Sequence, residues 1–324
     1  MLEYTTLCYN SVSGGLLMAD LELLCPVYTL DNKLLLPVGS VLSEETLNIL
    51  VSSNSDPDYQ KCSLLQYGSI RKDMLHFLSQ IPYNVIFAGE KEISAILKVT
   101  EKINLILPVL QSLDYFRQHD FYTYRHILMV FALSTLLYMD FLSNHEDRLK
   151  GIASGPTHDI GKICTPLNIL RKTKPVTQAE LNNLKHHSIA GYVLLSYYLR
   201  DTGHLFARVA RDHHEKKDGS GYPAGIRLED LIVEIIAVSD VYDALISPRP
   251  YRPVSYENRA ACEELTAMAE KGKIKVEFVQ ALIAHDRKSK PHYRECVLSK
   301  EKRSSPPPVN FHGVIEEEEN SSSS

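Results

Sequence analysis

From Glu92 to about Ala284 apolar positions recur at helical spacing, in five or more amphipathic segments separated by Pro- and Gly-containing loops. Strands do not alternate with these segments, so a parallel sheet is not expected. Ahead of this stretch the pattern is mixed. Leu34-Leu35-Leu36-Pro37-Val38-Gly39 reads as a short strand running into a turn, and Ser43-Glu44-Glu45 opens a helix with a capping residue and early acids. Val51 to Asp58 reads as a polar loop, and Tyr83 to Gly89 as a second strand. From Leu298 onward, Ser/Pro, Glu and Ser runs cannot bury enough apolar surface to fold. The pattern predicts a mainly α protein. A small mixed α/β module with a regulatory or docking role covers 1–115, an all-helical domain covers 116–297, and a disordered tail covers 298–324.

The longest apolar run, Ile127 to Leu142, is interrupted by Asp140 and falls short of the about 18 residues that span a bilayer, so no membrane partner is expected. The N-terminus has no basic region ahead of an apolar stretch, hence no secretory signal. The 324 residues are 44% hydrophobic, enough for a sizeable core, and carry a net charge of −5. That balance argues against a DNA-binding or general nucleic-acid coat, but leaves room for a small nucleotide held in a local positive pocket. Six scattered cysteines without a C-x-x-C pair suggest a reducing cytoplasm.

Histidine is unevenly distributed: six of the 13 fall between His158 and His214. His158-Asp159-Ile160-Gly161-Lys162 offers a nitrogen and a carboxylate side by side, a mixture suited to iron, manganese or zinc, with Gly161 fitting a helix C-terminal turn. Thr177-Gln178-Ala179-Glu180 is a capping box opening a helix on whose apolar side, among Leu181, Leu184, Ile189 and Leu195, sits His187; taken alone it is a core histidine. Gly191, one turn on, permits a close neighbour. His213 and His214 end a helix where the chain turns away, so both rings can reach one cavity; a Gly-rich loop through Gly221 and Tyr222 follows. The helix Ile235 to Leu245 is apolar nearly all round, so Asp240 within it needs a metal or a salt bridge to Arg249 or Arg252. His126 shares a helix face with Val130, Leu133 and Leu137. His285-Asp286, with basic neighbours, reads as surface. Seven candidate ligands (His126, His158, Asp159, His187, His213, His214, Asp240) are too many for one ion and suit two, with Asp159 between them.

These stretches, with Arg249-Pro250-Tyr251-Arg252 and Gly221-Tyr222-Pro223, resemble in order and spacing the HD-GYP family of cyclic-dinucleotide phosphodiesterases, a bacterial branch of the HD superfamily of metal-dependent phosphohydrolases. The resemblance implies an all-helical HD-type domain holding two divalent metal ions, iron or manganese. It implies hydrolysis of cyclic di-GMP, or a related 3′,3′-cyclic dinucleotide substrate, through a metal-bridging hydroxide. His126, His158, Asp159 and Asp240 would hold one metal, and Asp159, His187, His213 and His214 the other. Lys162 would face a phosphate oxygen, and Arg249 and Arg252 would lie near phosphates or a guanine. The loop at Gly221 and Tyr222 would border the substrate and is linked in the family to docking of a dinucleotide cyclase; a homodimer is compatible. Tyr122 stands where some members place a Glu for a third metal, Ile127 replaces a common Ser, and the usual motif is poorly kept at Gly272 to Phe278. Pro156 should break the helix ahead of His158. These departures motivate an alternative: a weak or inactive member acting as dinucleotide receptor or cyclase-binding adaptor.

Overall fold

The computed structural model describes residues 21–55, 59–299, 301–308 and 315. Two short antiparallel pairs lie in the N-terminal third. β1 (Val27–Tyr28) pairs with β2 (Leu34–Leu36), which runs into a turn at Gly39, whose φ of +79° favours glycine. The Ser43 hydroxyl accepts from the Thr46 amide and starts α1 (Glu44–Ser52). β3 (Lys61–Ser63) pairs with the distant β4 (Asn104–Ile106), a pairing too short to leave a sequence pattern. Between them lie α2 (Ile70–Leu78), α3 (Tyr83–Ile86) and α4 (Glu90–Thr100). The segment expected as a strand from Tyr83 is thus helical at its start. Its buried residues, Tyr83, Ile86 and Phe87, recur at i, i+3 and i+4, which a helix brings to one face and a strand divides between two.

α5 (Leu107–His119), α6 (Phe121–Phe141), α7 (His145–Ser154), α8 (Leu167–Leu170), α9 (Gln178–Lys185), α10 (His187–Leu199), α11 (Leu205–Asp212), α12 (Leu231–Ile246), α13 (Asn258–Glu270) and α14 (Val276–Asp286) follow. α6, α10 and α12 are apolar nearly all round and form the centre: α12 packs on α6, and α10 on α11. One continuous cluster of buried side chains runs from Leu23 to Leu282, and position 115 falls inside α5. The N-terminal part touches the central helices by specific bonds: Lys33 Nζ donates to Tyr197 Oη (2.6 Å) and Asn54 Nδ2 to the Tyr197 carbonyl (2.9 Å). Among the described residues no helix is long and apolar enough to cross a membrane.

Two expectations are corrected at the end of the chain. His285 is half-buried and its Nε2 lies 2.7 Å from Asp140 Oδ2, a contact between α14 and α6 that basic neighbours in sequence hid. The tail expected to be free from Leu298 instead follows α13 for a few residues: the amides of Arg303 and Ser304 donate to Glu263 Oε2 (3.2 and 3.0 Å) and Lys302 pairs with Glu264 (2.7 Å). Apart from Ile315, the tail beyond residue 308 lies outside the described residues.

Candidate metal centre and nucleotide cleft

Each candidate ligand is delivered by a different local device. α6 carries His126 on its buried side, 2% exposed. α7 ends at Ser154, and a tight turn over Gly155–Thr157 holds Pro156 near its start. A second tight turn, Ile160–Cys164, follows at once, so the consecutive His158 and Asp159 lie between two turns and both face inward. Gly161 is not the helix-ending glycine expected. It sits in the second turn, where a Cβ would stand 1.9 Å from the His187 carbonyl oxygen and 2.4 Å from the Gly191 nitrogen. Its backbone therefore rests directly on the start of α10, which brings Asp159 beside His187.

The helix opened by the Thr177–Glu180 capping box is present, but it closes at His186 and restarts as α10 at His187. The carbonyl of Leu184, near the end of α9, faces the His187 ring at Nδ1 (2.6 Å), and the ring is thereby aimed into the site. His213 caps α11 and His214 follows it, their ring centroids 4.0 Å apart. Asp240 enters from the middle of α12.

All seven candidates come together around Asp159. Its Oδ2 is 3.5 Å from Nε2 of both His126 and His158, and its Oδ1 is 3.4 Å from His187 Nε2 and 3.9 Å from His213 Nε2. Asp240 Oδ1 lies 2.9 Å from His126 Nε2 and its Oδ2 3.7 Å from His214 Nδ1. Two sets have donor atoms within 4.8 Å of one another, His126–His158–Asp159 and His187–His213–His214.

The donor set fits divalent cations. Nδ1 of His158, His187 and His213 faces the carbonyls of Gly155 (2.8 Å), Leu184 (2.6 Å) and Ala210 (2.9 Å), and Nδ1 of His126 faces Asp243 Oδ2 (2.6 Å). Each carbonyl contact puts the ring proton on Nδ1 and leaves the Nε2 lone pair pointing at the centre, whereas His126 Nδ1 lies between Asp243 Oδ2 and Arg249 Nη2 (2.7 Å). At the centre His187 Nε2 is 3.2 Å from His213 Nε2 and 3.1 Å from His214 Nε2, so lone pairs face one another and a cation satisfies them. Burial lowers His187 to about 3 and His213 to about 4, so both rings are neutral and able to bind metal. Burial alone would raise the Asp159 carboxyl, but the Lys162 ammonium at 2.6 Å and the imidazoles hold it well below the carboxylate range.

A pH dependence follows for the metal-free protein. His187 and His213 accept protons near pH 6.5 when unfolded and near 3 and 4 when folded. The unfolded state therefore binds more protons at these two positions below pH 6.5, and the stability they contribute falls as pH falls. Chelated protein should show a markedly lower Tm at pH 5 than at pH 7.5; a Tm that holds or rises contradicts neutral buried imidazoles.

The salt bridge considered for Asp240 belongs instead to Asp243, one turn on, whose Oδ2 is 3.5 Å from Arg249 Nη2. Arg252 Nη2 donates to the carbonyls of Leu245 (2.9 Å) and Ser247 (3.2 Å). Sequence reasoning gave Asp243 no task. The residue that supports it from α3, Tyr83, left no signal at all.

The glycine-rich loop lies against the same centre. A Cβ on Gly221 would be 2.4 Å from both Glu215 Cα and the His214 carbonyl, so only glycine lets the loop approach. Glu215 Oε1 accepts from the amides of Ala224 (2.7 Å) and Gly225 (3.0 Å), and Tyr222 stacks on His214 with centroids 4.6 Å apart. The centre opens into a cleft of about 690 Å³. Lys162, Lys172, Lys174, Lys185 and Lys216 line it, together with Arg249, Arg252, Tyr122 and Tyr222. Lys172 and Lys174 were not singled out from sequence, because the basic wall is assembled from separate segments.

With this geometry in view, residues 130–275 match the HD domain family model, a stretch that contains six of the seven candidate ligands and starts just after His126. The response regulator RpfG of Xanthomonas campestris, named a cyclic di-GMP phosphodiesterase, is 44% identical over 34% of this chain and 30% of its own length. A cyclic di-GMP phosphodiesterase of Thermotoga maritima is 34% identical over 47% of this chain and 42% of its own. The 3′3′-cGAMP-specific phosphodiesterase 1 of Vibrio cholerae is 35% identical over 40% of this chain and 30% of its own. The chain thus spans less than half the length of these relatives. A solved HDG"Y"P protein from Bdellovibrio bacteriovorus overlays with a TM-score of 0.43 at 19% identity, covering 81% of this chain and 94% of that one. Residues 130–275 thus match an HD domain, and the motifs gathered round the cleft lie within that stretch or directly beside it.

Proposed function

We propose that this cleft hydrolyses a 3′,3′-cyclic dinucleotide, cyclic di-GMP foremost, using two divalent cations, iron or manganese. The observation that carries this reading is Asp159, a buried carboxylate lying between two histidine clusters, with Nε2 of His126, His158, His187 and His213 within 3.9 Å of its oxygens. His126, His158, Asp159 and Asp240 would hold one cation, and Asp159, His187, His213 and His214 the other. When bound, such a pair lowers the pKa of water and neutralises charge on a phosphoryl group in transfer.

The chain's own groups do the rest. Lys162, 18% exposed and facing the cleft beside Asp159, meets a non-bridging phosphate oxygen and stabilises the charge that grows there. Arg249 and Arg252 line the same cleft and hold the phosphates or a guanine. The lysine wall matches the two negative charges of a cyclic dinucleotide, and Tyr222 offers a ring face to a base. We assign the loop at Gly221–Pro223 to docking of a dinucleotide cyclase, and the protein to a bacterial cytoplasm, where the free thiols of Cys25, Cys62, Cys164, Cys262 and Cys296 persist. A homodimer is compatible with this reading, and the N-terminal part serves as its regulatory or docking region.

Anaerobic purification, elemental analysis and incubation with cyclic di-GMP and 3′,3′-cyclic GMP-AMP test the proposal. Two metals per chain and chelator-sensitive cleavage to a linear dinucleotide are expected. Metal-loaded protein that binds but does not cleave either compound would make it a receptor instead. Lys162→Met should lower kcat roughly a hundredfold; wild-type kcat would remove Lys162 from the site.

A further inference from the structure

The strongest unexplained feature outside the cleft is a polar network buried between α3 and the metal centre. Tyr83 is 1% exposed, and its hydroxyl donates to Asp243 Oδ1. The same hydroxyl is 2.5 Å from Ser247 Oγ, which also lies within hydrogen-bonding reach of Asp243 and accepts from Arg125 Nη2 (2.9 Å). Asp243, fully buried, presents its other oxygen to His126 Nδ1 at 2.6 Å. One carboxylate thus joins a hydroxyl from the N-terminal third to the ring whose Nε2 faces Asp159 and Asp240.

α3 is only four residues long, yet it is fastened from the far side. Lys290 Nζ donates to the carbonyls of Val85 (2.9 Å) and Ile86 (2.7 Å), and Asn258 Nδ2 to the carbonyl of Pro82 (3.3 Å). The segment is therefore held in place from both sides, and Tyr83 projects from it into the network. Tyr83 also lies well outside the stretch 130–275 that matches the HD domain model.

We propose that Tyr83 is a positioning residue of the metal centre, acting through Asp243 to fix the orientation of the His126 ring. This inference rests on the two-cation reading of the site. A carboxylate that orients a ligating imidazole does so only if its own rotamer is held; the Tyr83 and Ser247 hydroxyls hold Asp243 on one side and Arg249 Nη2, 3.5 Å from its Oδ2, on the other. The N-terminal third in this way reaches the ligand set through the Tyr83 hydroxyl.

The test uses the full chain with Tyr83→Phe, which keeps the ring and its packing. Mn²⁺ affinity is read by titration of chelated protein, and ligand geometry by the visible spectrum of the Co²⁺-substituted form. Weaker Mn²⁺ binding by roughly tenfold, a changed Co²⁺ spectrum and a Tm within a few degrees of wild type are expected. Asp243→Asn alone should weaken Mn²⁺ binding at least as much, and Tyr83→Phe added to it should cost little more. Wild-type affinity and spectrum in Tyr83→Phe would overturn the inference, as would full additivity of the two changes. So would a drop in Tm large enough to account for the loss. If wild-type protein binds no Mn²⁺ or Co²⁺ at all, it is the two-cation reading that fails, and the positioning role falls with it.

Discussion

Asp159→Asn should lower cyclic-dinucleotide hydrolysis by roughly a thousandfold or more and leave the protein with one tightly held metal or none. The substitution conserves shape and removes one negative charge. In the folded chain that charge faces four imidazoles within 3.9 Å and the Lys162 ammonium at 2.6 Å, at a position 1% exposed. Of the neighbouring carboxylates, Asp240 touches one ring of each cluster, His126 and His214, and Asp243 has its oxygens turned to His126 Nδ1 and Tyr83, whereas Asp159 faces two rings of each. An asparagine also brings an NH₂ group among Nε2 lone pairs, which favours direct hydrogen bonds over metal. Elemental analysis with a product assay on the same preparation checks both halves. Full metal content and a normal rate in this variant would mean that Asp159 does not bridge two ions.

The largest structural effect is expected from Gly161→Ala, a single added methyl group. Its Cβ would fall 1.9 Å from the His187 carbonyl oxygen and 2.4 Å from the Gly191 nitrogen. Both are backbone atoms of α10, so no rotamer change relieves the overlap. The turn Ile160–Cys164 must lift off α10, carrying Asp159 and Lys162 away from His187. A loss of about 3 kcal/mol of stability, at the upper end for overpacking, is expected together with loss of the second metal. Gly272→Ala is a useful control, because nothing lies within 4 Å of its Cβ and only its φ of +70° is unfavourable. Denaturant unfolding of the two variants side by side checks this; equal stability would show that the turn and α10 are not in register as described.

The parts of the site legible in sequence were those where a polar residue stood in apolar company. Asp240 in α12 and His126 in α6 are conspicuous because helices apolar on every side give them nothing else to do. His158–Asp159 and His213–His214 were conspicuous as pairs. The hidden parts arise from packing between elements distant in sequence. The Asp243–His126 contact exists only because α12 lies on α6, and Tyr83 reaches it from more than 150 residues away. The break at His186 was masked by a capping box and apolar spacing that suit one continuous helix equally well. α3 was mistaken for a strand because Val85-Ile86-Phe87 is a β-branched and aromatic run, and only burial reveals its helical period.

On the proposed reading the seven side chains cage a pair of cations. Crystals of manganese-loaded protein, measured for anomalous scattering, test it without reference to any substrate. Two peaks are expected about 3.5–4 Å apart, one among His126, His158, Asp159 and Asp240 and the other among Asp159, His187, His213 and His214. A single peak away from Asp159, or none in fully loaded protein, would contradict it.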